Sequence, residues 1–279
     1  MSTDASSIAT ELPADLRAAA QQIAQVPNLL VCIDFDGTLA PIVEDPALAR
    51  ALPESVSALT ALAGLPGTTT AVVSGRALRD LAELTGLPPQ VQLVGSHGSE
   101  FEAGSVAALD DAASQRRTAL LDAVRPLVDG IPGVLLEEKP TGVAVHVRRA
   151  SRQDAATVLT SLRHGPARWA GIFATEGHEV LELSVVQSDK GHAIDELRAR
   201  SGASAVIFVG DDVTDERAFV RLSGPDLGVK VGSGATAATY RVAGPDQVAA
   251  LLELLAKARA SWLAAAPGAK AAGQRRISP

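Results

Sequence analysis

The chain has a single cysteine, Cys32, so it can close no internal disulfide and assemble no thiolate metal cluster. Cys32 lies in an apolar run, where a thiol behaves as a small hydrophobe. Aromatic residues are only 3% of the sequence, so its core must be aliphatic, built from Ala, Val and Leu. Basic residues are in the minority, 25 against 32 acidic, and a net charge of −7 offers no footprint for nucleic acid. No run approaches the ~18 apolar residues that cross a bilayer. The opening residues, MSTDASSIATELPADLR, are polar and acidic without a signal-peptide stretch, so a soluble, cytoplasmic protein is the expectation. What the sequence does have is apolar content. At 47% of 279 residues it excludes bulk disorder and can fill one large core or two moderate ones.

Residues 1–12 read as a disordered tail, and Pro13–Gln25 as a first helix. Three short apolar runs follow, Leu29–Phe35, Thr68–Val73 and Val91–Val94, as strands buried on both faces require. The helical patterns Pro53–Ala63 and Ala77–Thr85 separate them, each ending near a glycine, Gly64 or Gly86. This alternation predicts a doubly wound, Rossmann-like parallel sheet. The rhythm changes over residues 104–186. There a helix, Gln115–Val128, precedes strands Gly133–Glu138 and Val143–Arg149, and a second helix, Gln153–Arg163, precedes strands Gly171–Thr175 and Glu179–Val186. The pattern is an inserted α+β unit, α-β-β-α-β-β. Strand–helix alternation then resumes with helix Lys190–Arg200, strand Ala205–Val209, helix Thr214–Leu222 and strand Leu227–Val231, closed by helix Asp246–Ala260. The expected organisation is therefore a core from 13–103 and 187–264, an inserted cap from 104–186, and a disordered tail from 265–279.

Four segments at the carboxyl ends of predicted strands carry the chemistry, since ligands of open α/β sheets bind there. Asp34-Phe35-Asp36-Gly37-Thr38-Leu39 follows the first strand. Its two carboxylates, spaced by two, point the same way on an extended backbone, and their repulsion calls for a cation or a proton between them. One can attack phosphorus while the other handles the leaving-group proton. Ser74-Gly75-Arg76 offers a hydroxyl and backbone N–H groups at a helix start, suited to a phosphate oxygen. Asp189-Lys190-Gly191 opens a helix with a cation in its first turn, against the helix dipole. Gly210-Asp211-Asp212-Val213-Thr214-Asp215-Glu216 crowds acids at a strand end, as a hard divalent cation site does. Together Asp34, Asp36, Asp211, Asp212 and Asp215 are expected to converge, with Lys190 offsetting only one of them. A divalent ion is then close to obligatory.

DFDGTL and the three segments after it resemble, in order, the motifs of the haloacid dehalogenase-like phosphatases. The resemblance implies that Asp34 is a nucleophile forming an aspartyl-phosphate and that Asp36 is the acid/base, its backbone carbonyl also reaching Mg²⁺. It implies that Ser74 contacts the phosphoryl group, with Gly75 and Arg76 beside it. Lys190 would neutralise nucleophile and phosphate, and Asp211, with Asp212 and Asp215 in support, would hold the Mg²⁺. More narrowly, GSHGSE (95–100), LEEK (136–139) with AVHVR (144–148), VLEL (180–183) before DKG, and GDDVTDE resemble the trehalose-phosphate phosphatases over residues 28–235. That likeness implies a phosphorylated sugar as substrate, its hydroxyls contacted by Glu137, Lys139 and Glu182, with His97, His146 and Arg148 as further candidates. Neither a nucleic-acid nor a membrane partner is expected, and the oligomeric state is not legible. The competing readings are a capped phosphatase for sucrose or mannosyl-glycerate phosphate, a phosphomutase, and a non-catalytic sugar-phosphate-binding module.

Overall fold

The computed structural model describes residues 11–101, 109–177, 179–186 and 189–265. The chain divides into two compact units, one from Met1–Glu102 with Asp189–Pro279 and the other from Ala103–Ser188. In chain order the first unit carries helix α1 (Ala14–Ile23), strand β1 (Leu29–Ile33), α2 (Pro53–Ala63), β2 (Thr68–Val73), α3 (Leu78–Thr85), β3 (Val91–Gly95) and the short β4 (Glu100–Phe101). The second unit carries α4 (Asp111–Val128), β5 (Leu135–Lys139), β6 (Gly142–His146), α5 (Arg152–His164), β7 (Phe173–Gly177) and β8 (Val180–Ser184). The chain then returns to the first unit with α6 (Lys190–Ser201), β9 (Ala205–Gly210), α7 (Glu216–Phe219), β10 (Leu227–Val231), β11 (Tyr240–Val242) and α8 (Pro245–Ala265).

In the first unit, seven strands form one sheet in the order β11-β10-β9-β1-β2-β3-β4. All pairings are parallel except that of β4 with β3. The apolar runs form its centre because both faces are covered. Leu29, Val31 and Ile33 of β1 pack with residues of α1, α2 and α8, while Leu30 and Cys32 pack with Ala193, Ile194 and Leu197 of α6 and Phe219 of α7. Alternate residues of one strand thus enter two cores, as a doubly wound sheet requires. Leu12 also lies in the first of these cores. Residues 1–10 and 266–279, expected as tails, lie outside the described residues.

The second unit is a four-stranded antiparallel sheet, β5-β6-β8-β7, with α4 and α5 on one face. Its register places Glu137, Ala144 and Glu182 side by side, so these share a face, opposite the buried Val143, Val145, Leu181 and Leu183. The helices begin where side chains cap them: Asp110 accepts from Ala113 N–H in α4, and Ser151 from Asp154 N–H in α5.

Three local features depart from the sequence expectation. The helix expected over Thr214–Leu222 is a 3₁₀ turn, Val213–Asp215, followed by only four α-helical residues. Asp215 is turned inward there, its carboxylate accepting from Asp212 N–H at 2.8 Å. β4 and β11 were not expected, because at two and three residues they are too short to show a periodicity.

Candidate active site

The sheet brings the four motif segments together at its carboxyl edge. Asp34 follows β1 directly, and its N–H donates to Val209 O of β9 at 2.9 Å, so the central pairing carries it into position. The chain then leaves the extended course. Leu39 and Ala40 N–H both donate to Phe35 O, and Gly37 N–H donates to Ala40 O at 2.8 Å. Gly37 holds φ +76°, and a Cβ there would come within 2.0 Å of an Asp211 carboxylate oxygen, so only glycine fits. The two carboxylates on either side of this turn meet different partners. Asp34 is buried among acids, whereas Asp36 pairs with Arg76 in a bidentate fork, Nε to Oδ2 at 2.7 Å and a terminal nitrogen to Oδ1 at 2.6 Å.

The acidic group itself is smaller than the sequence implied. Carboxylate oxygens of Asp34, Asp211 and Asp215 lie within 4.8 Å of one another. Asp212, on the same loop, is exposed and stands outside that group. Lys190 resolves its apparent conflict with the helix dipole by turning its side chain inward. Its Nζ donates to Asp34 Oδ1 and to Asp215 Oδ1, each at 2.6 Å, with only 2% of the residue exposed. Asp189, just before it, caps α6 by accepting from His192 N–H at 2.9 Å.

One ammonium cannot neutralise three carboxylates, two of them buried and the third half-buried. Burial works against the charge on Lys190, yet Asp34 and Asp215 together hold its pKa above the ordinary lysine value. The excess falls on the acids. Burial first, then the charges of Asp215 and Asp211, push Asp34 well above the usual carboxylate range in spite of Lys190. Asp211 is raised in the same way, by burial and then by Asp215. Asp211 Oδ1 is also buried with no hydrogen-bond partner among the described residues. A crowded, oxygen-only donor set with an orphaned lone pair fits a hard divalent cation.

The second segment is braced from behind. Ser74 is buried, and its Oγ accepts from Arg76 N–H at 3.2 Å, as the cap of a tight turn. His97, expected as a substrate contact, donates its backbone N–H to Ser74 O, and its ring lies against Gly75. A Cβ on Gly75 would come within 2.5 Å of that ring. Ser96 and His97 both hold positive φ, +47° and +54°, a strained course for L-residues. Glu100 stabilises it, accepting from Ser96 Oγ at 2.5 Å and from Leu78 N–H, at the start of α3, at 3.0 Å. Its motif, GSHGSE, was visible in the sequence; its bracing role was not.

On the second unit, Lys139 Nζ donates to Glu182 Oε2 at 3.1 Å, and Glu137 pairs with His146 at 2.9 Å. These four stand on the sheet face away from α4 and α5. Arg148 lies beyond the end of β6, 3.4 Å from Glu179.

Residues 32–246 match the family model described as trehalose-phosphatase. The chain belongs to the trehalose-phosphatase family. Trehalose-phosphate phosphatase of Mycobacterium avium (strain 104) is 40% identical over 245 residues, 81% of this chain and 61% of the relative. That of Mycobacterium ulcerans (strain Agy99) is 35% identical over 264 residues, 86% of this chain and 65% of the relative. The chain thus spans less than two thirds of the length of these curated relatives. Among solved structures, the C-terminal domain of C. albicans trehalose-6-phosphate phosphatase matches with a TM-score of 0.66, covering 89% of this chain and 99% of that one at 24% identity. The Aspergillus fumigatus trehalose-6-phosphate phosphatase gives 0.62 at 24% identity, over 86% of this chain and 97% of that one. These structures share the family's α/β core and cap fold. No described helix is long and apolar enough to cross a membrane.

Proposed function

We propose that this protein hydrolyses trehalose 6-phosphate to trehalose and inorganic phosphate, with Mg²⁺ and through an aspartyl-phosphate on Asp34. The observation that carries the reading is the buried Asp34–Lys190–Asp215 contact beside an orphaned Asp211 oxygen, in a chain of this family. Asp34, Asp211 and Asp215 would hold the cation, which would supply the charge neutralisation that lets a carboxylate approach a phosphate ester. Asp34 attacks phosphorus as the ester bond breaks, and Asp36 delivers its proton to the departing sugar oxygen. Water, deprotonated by Asp36, then attacks the acyl phosphate and restores the Asp34 carboxylate. Arg76 forks the Asp36 carboxylate in the unliganded site, and that fork must open for Asp36 to carry the proton. Ser74 and the backbone of Gly75 receive phosphoryl oxygens, and Lys190 offsets charge on nucleophile and phosphate.

The substrate assignment is supported by Glu137, Lys139 and Glu182 on the polar sheet face of the second unit, which supplies several fixed donors and acceptors for hydroxyl groups. With Mg²⁺, phosphate release from trehalose 6-phosphate should far exceed that from glucose 6-phosphate, sucrose 6-phosphate and mannosyl-glycerate phosphate. Equal rates across this panel would sink the substrate assignment. Transfer of phosphate to a second sugar hydroxyl instead of water would favour the phosphomutase reading.

A further inference from the structure

β10 reads Leu-Gly-Val-Lys-Val and is buried along its whole length, yet its fourth residue is a lysine that is only 4% exposed. Lys230 stands in register with Gly210, the last residue of β9 before the acidic loop. Its ammonium donates to two backbone carbonyls of that loop, Asp211 O at 2.5 Å and Asp212 O at 3.3 Å. Glu216, which follows the loop, lies 3.6 Å away through Oε1, and its Oε2 accepts from Ala237 N–H at 2.8 Å. Lys230 therefore joins β10 to the loop that presents Asp211 and Asp215. The Glu216 contact extends the link to the segment after β10.

An apolar side chain of similar length would fill this position without the desolvation cost of a buried ammonium. What it could not do is donate to Asp211 O; Asp212 O also accepts from Asp215 N–H at 3.2 Å. The charge matters as well. Lys190 leaves the Asp34–Asp211–Asp215 group with excess negative charge, and Lys230 brings a second cation to the backbone of the same loop.

We propose that Lys230 is a positioning residue for the metal centre, holding the Asp211–Asp215 loop so that its carboxylates converge on the cation. The inference rests on the proposed metal centre, and its test reads cation binding directly. Mn²⁺ serves as the probe, titrated by electron paramagnetic resonance and displaced by Mg²⁺, in the full chain and in Lys230→Met. Loss of a partner that orients metal ligands typically weakens metal affinity about 10–100-fold. Lys230→Met should show a loss of that size, with a matching rise in the Mg²⁺ needed for half-maximal turnover and a smaller fall in kcat at saturating Mg²⁺. Lys230→Arg should recover part of the affinity, because it restores a cationic donor. If Lys230→Met does not fold, Lys230→Gln, which keeps a donor without the charge, carries the test with a smaller loss in the same direction. Unchanged Mn²⁺ affinity in a folded variant, with only a lowered thermal midpoint, would overturn the assignment in favour of plain structural support. Absence of Mn²⁺ binding in the unaltered chain would overturn the metal centre itself, and the inference with it.

Discussion

At Asp34, the proposed nucleophile, burial among other acids sets a cost in stability against the proposed role. Burial and neighbouring acids raise its pKa, so the folded protein binds a proton there more tightly than the unfolded chain, whose reference value is 3.8. The stabilising effect of this protonation is complete below the unfolded value and is lost as pH rises through the folded one. At neutral pH without a divalent ion, a charged Asp34 therefore costs stability. Asp34→Asn removes that charge and keeps the shape. It should abolish turnover while raising the thermal midpoint of the metal-free protein, by about 2–4 °C for each kcal/mol relieved. Calorimetry in a chelator checks the stability and a phosphate-release assay the turnover. Residual turnover at the wild-type rate would refute covalent catalysis by Asp34. The motif in which Asp34 lies was legible because its strand, turn glycine and acids are contiguous. The partner of Asp36 was not, because Arg76 is 40 residues away and its fork depends on how two loops meet.

At the scale of elements, buried strands and capped helices were readable from local pattern, and Thr68–Val73 and Pro53–Ala63 stand where periodicity put them. The tie at the opposite edge of the same sheet was not readable. Arg259 of α8 is fully buried, and its guanidinium donates to the carbonyls of Ala24, Val26, Pro27, Pro66 and Gly67 and to Thr68 Oγ1. It joins the end of α8 to the segments entering β1 and β2. In the sequence it is one arginine in a long amphipathic helix, with nothing local to distinguish it from a surface charge. Its acceptors are main-chain oxygens, which carry no signature in residue identity. Arg259→Met would take the guanidinium donors from these carbonyls; Gly67 O keeps Leu29 N–H and Pro66 O keeps Thr68 Oγ1, and the cost is roughly 1–3 kcal/mol for each group left buried and unsatisfied. The expected result is a thermal midpoint lowered by several degrees, with the proposed dependence of turnover on a divalent ion unchanged. An unchanged midpoint would show that water replaces the guanidinium at no cost.

For the whole molecule, the two units divide the proposed work, and a substitution in one should leave a signature distinct from the other. Loss of a hydrogen bond to a charged group is worth about 1.5–3 kcal/mol, or roughly 10–150-fold in binding. Lys139→Ala should therefore raise KM for trehalose 6-phosphate by at least about 10-fold. It should barely affect an aryl phosphate, which offers no sugar hydroxyls; equal losses on both substrates would remove Lys139 from sugar recognition. The sequence by itself determined the alternation that winds the core, the insert that interrupts it, and the motif segments, because each depends on residues adjacent in the chain. Which acids lie close enough to share a ligand was settled by the packing of distant segments. It reduced five candidate carboxylates to a convergent three, gave Asp36 to Arg76, and turned Lys230 from a charge in an apolar strand into a brace for the acidic loop. The physical reason is common to all three. Hydrogen bonds and Coulomb attraction act over a few ångströms in space, and the chain separations they bridge leave no trace in local composition.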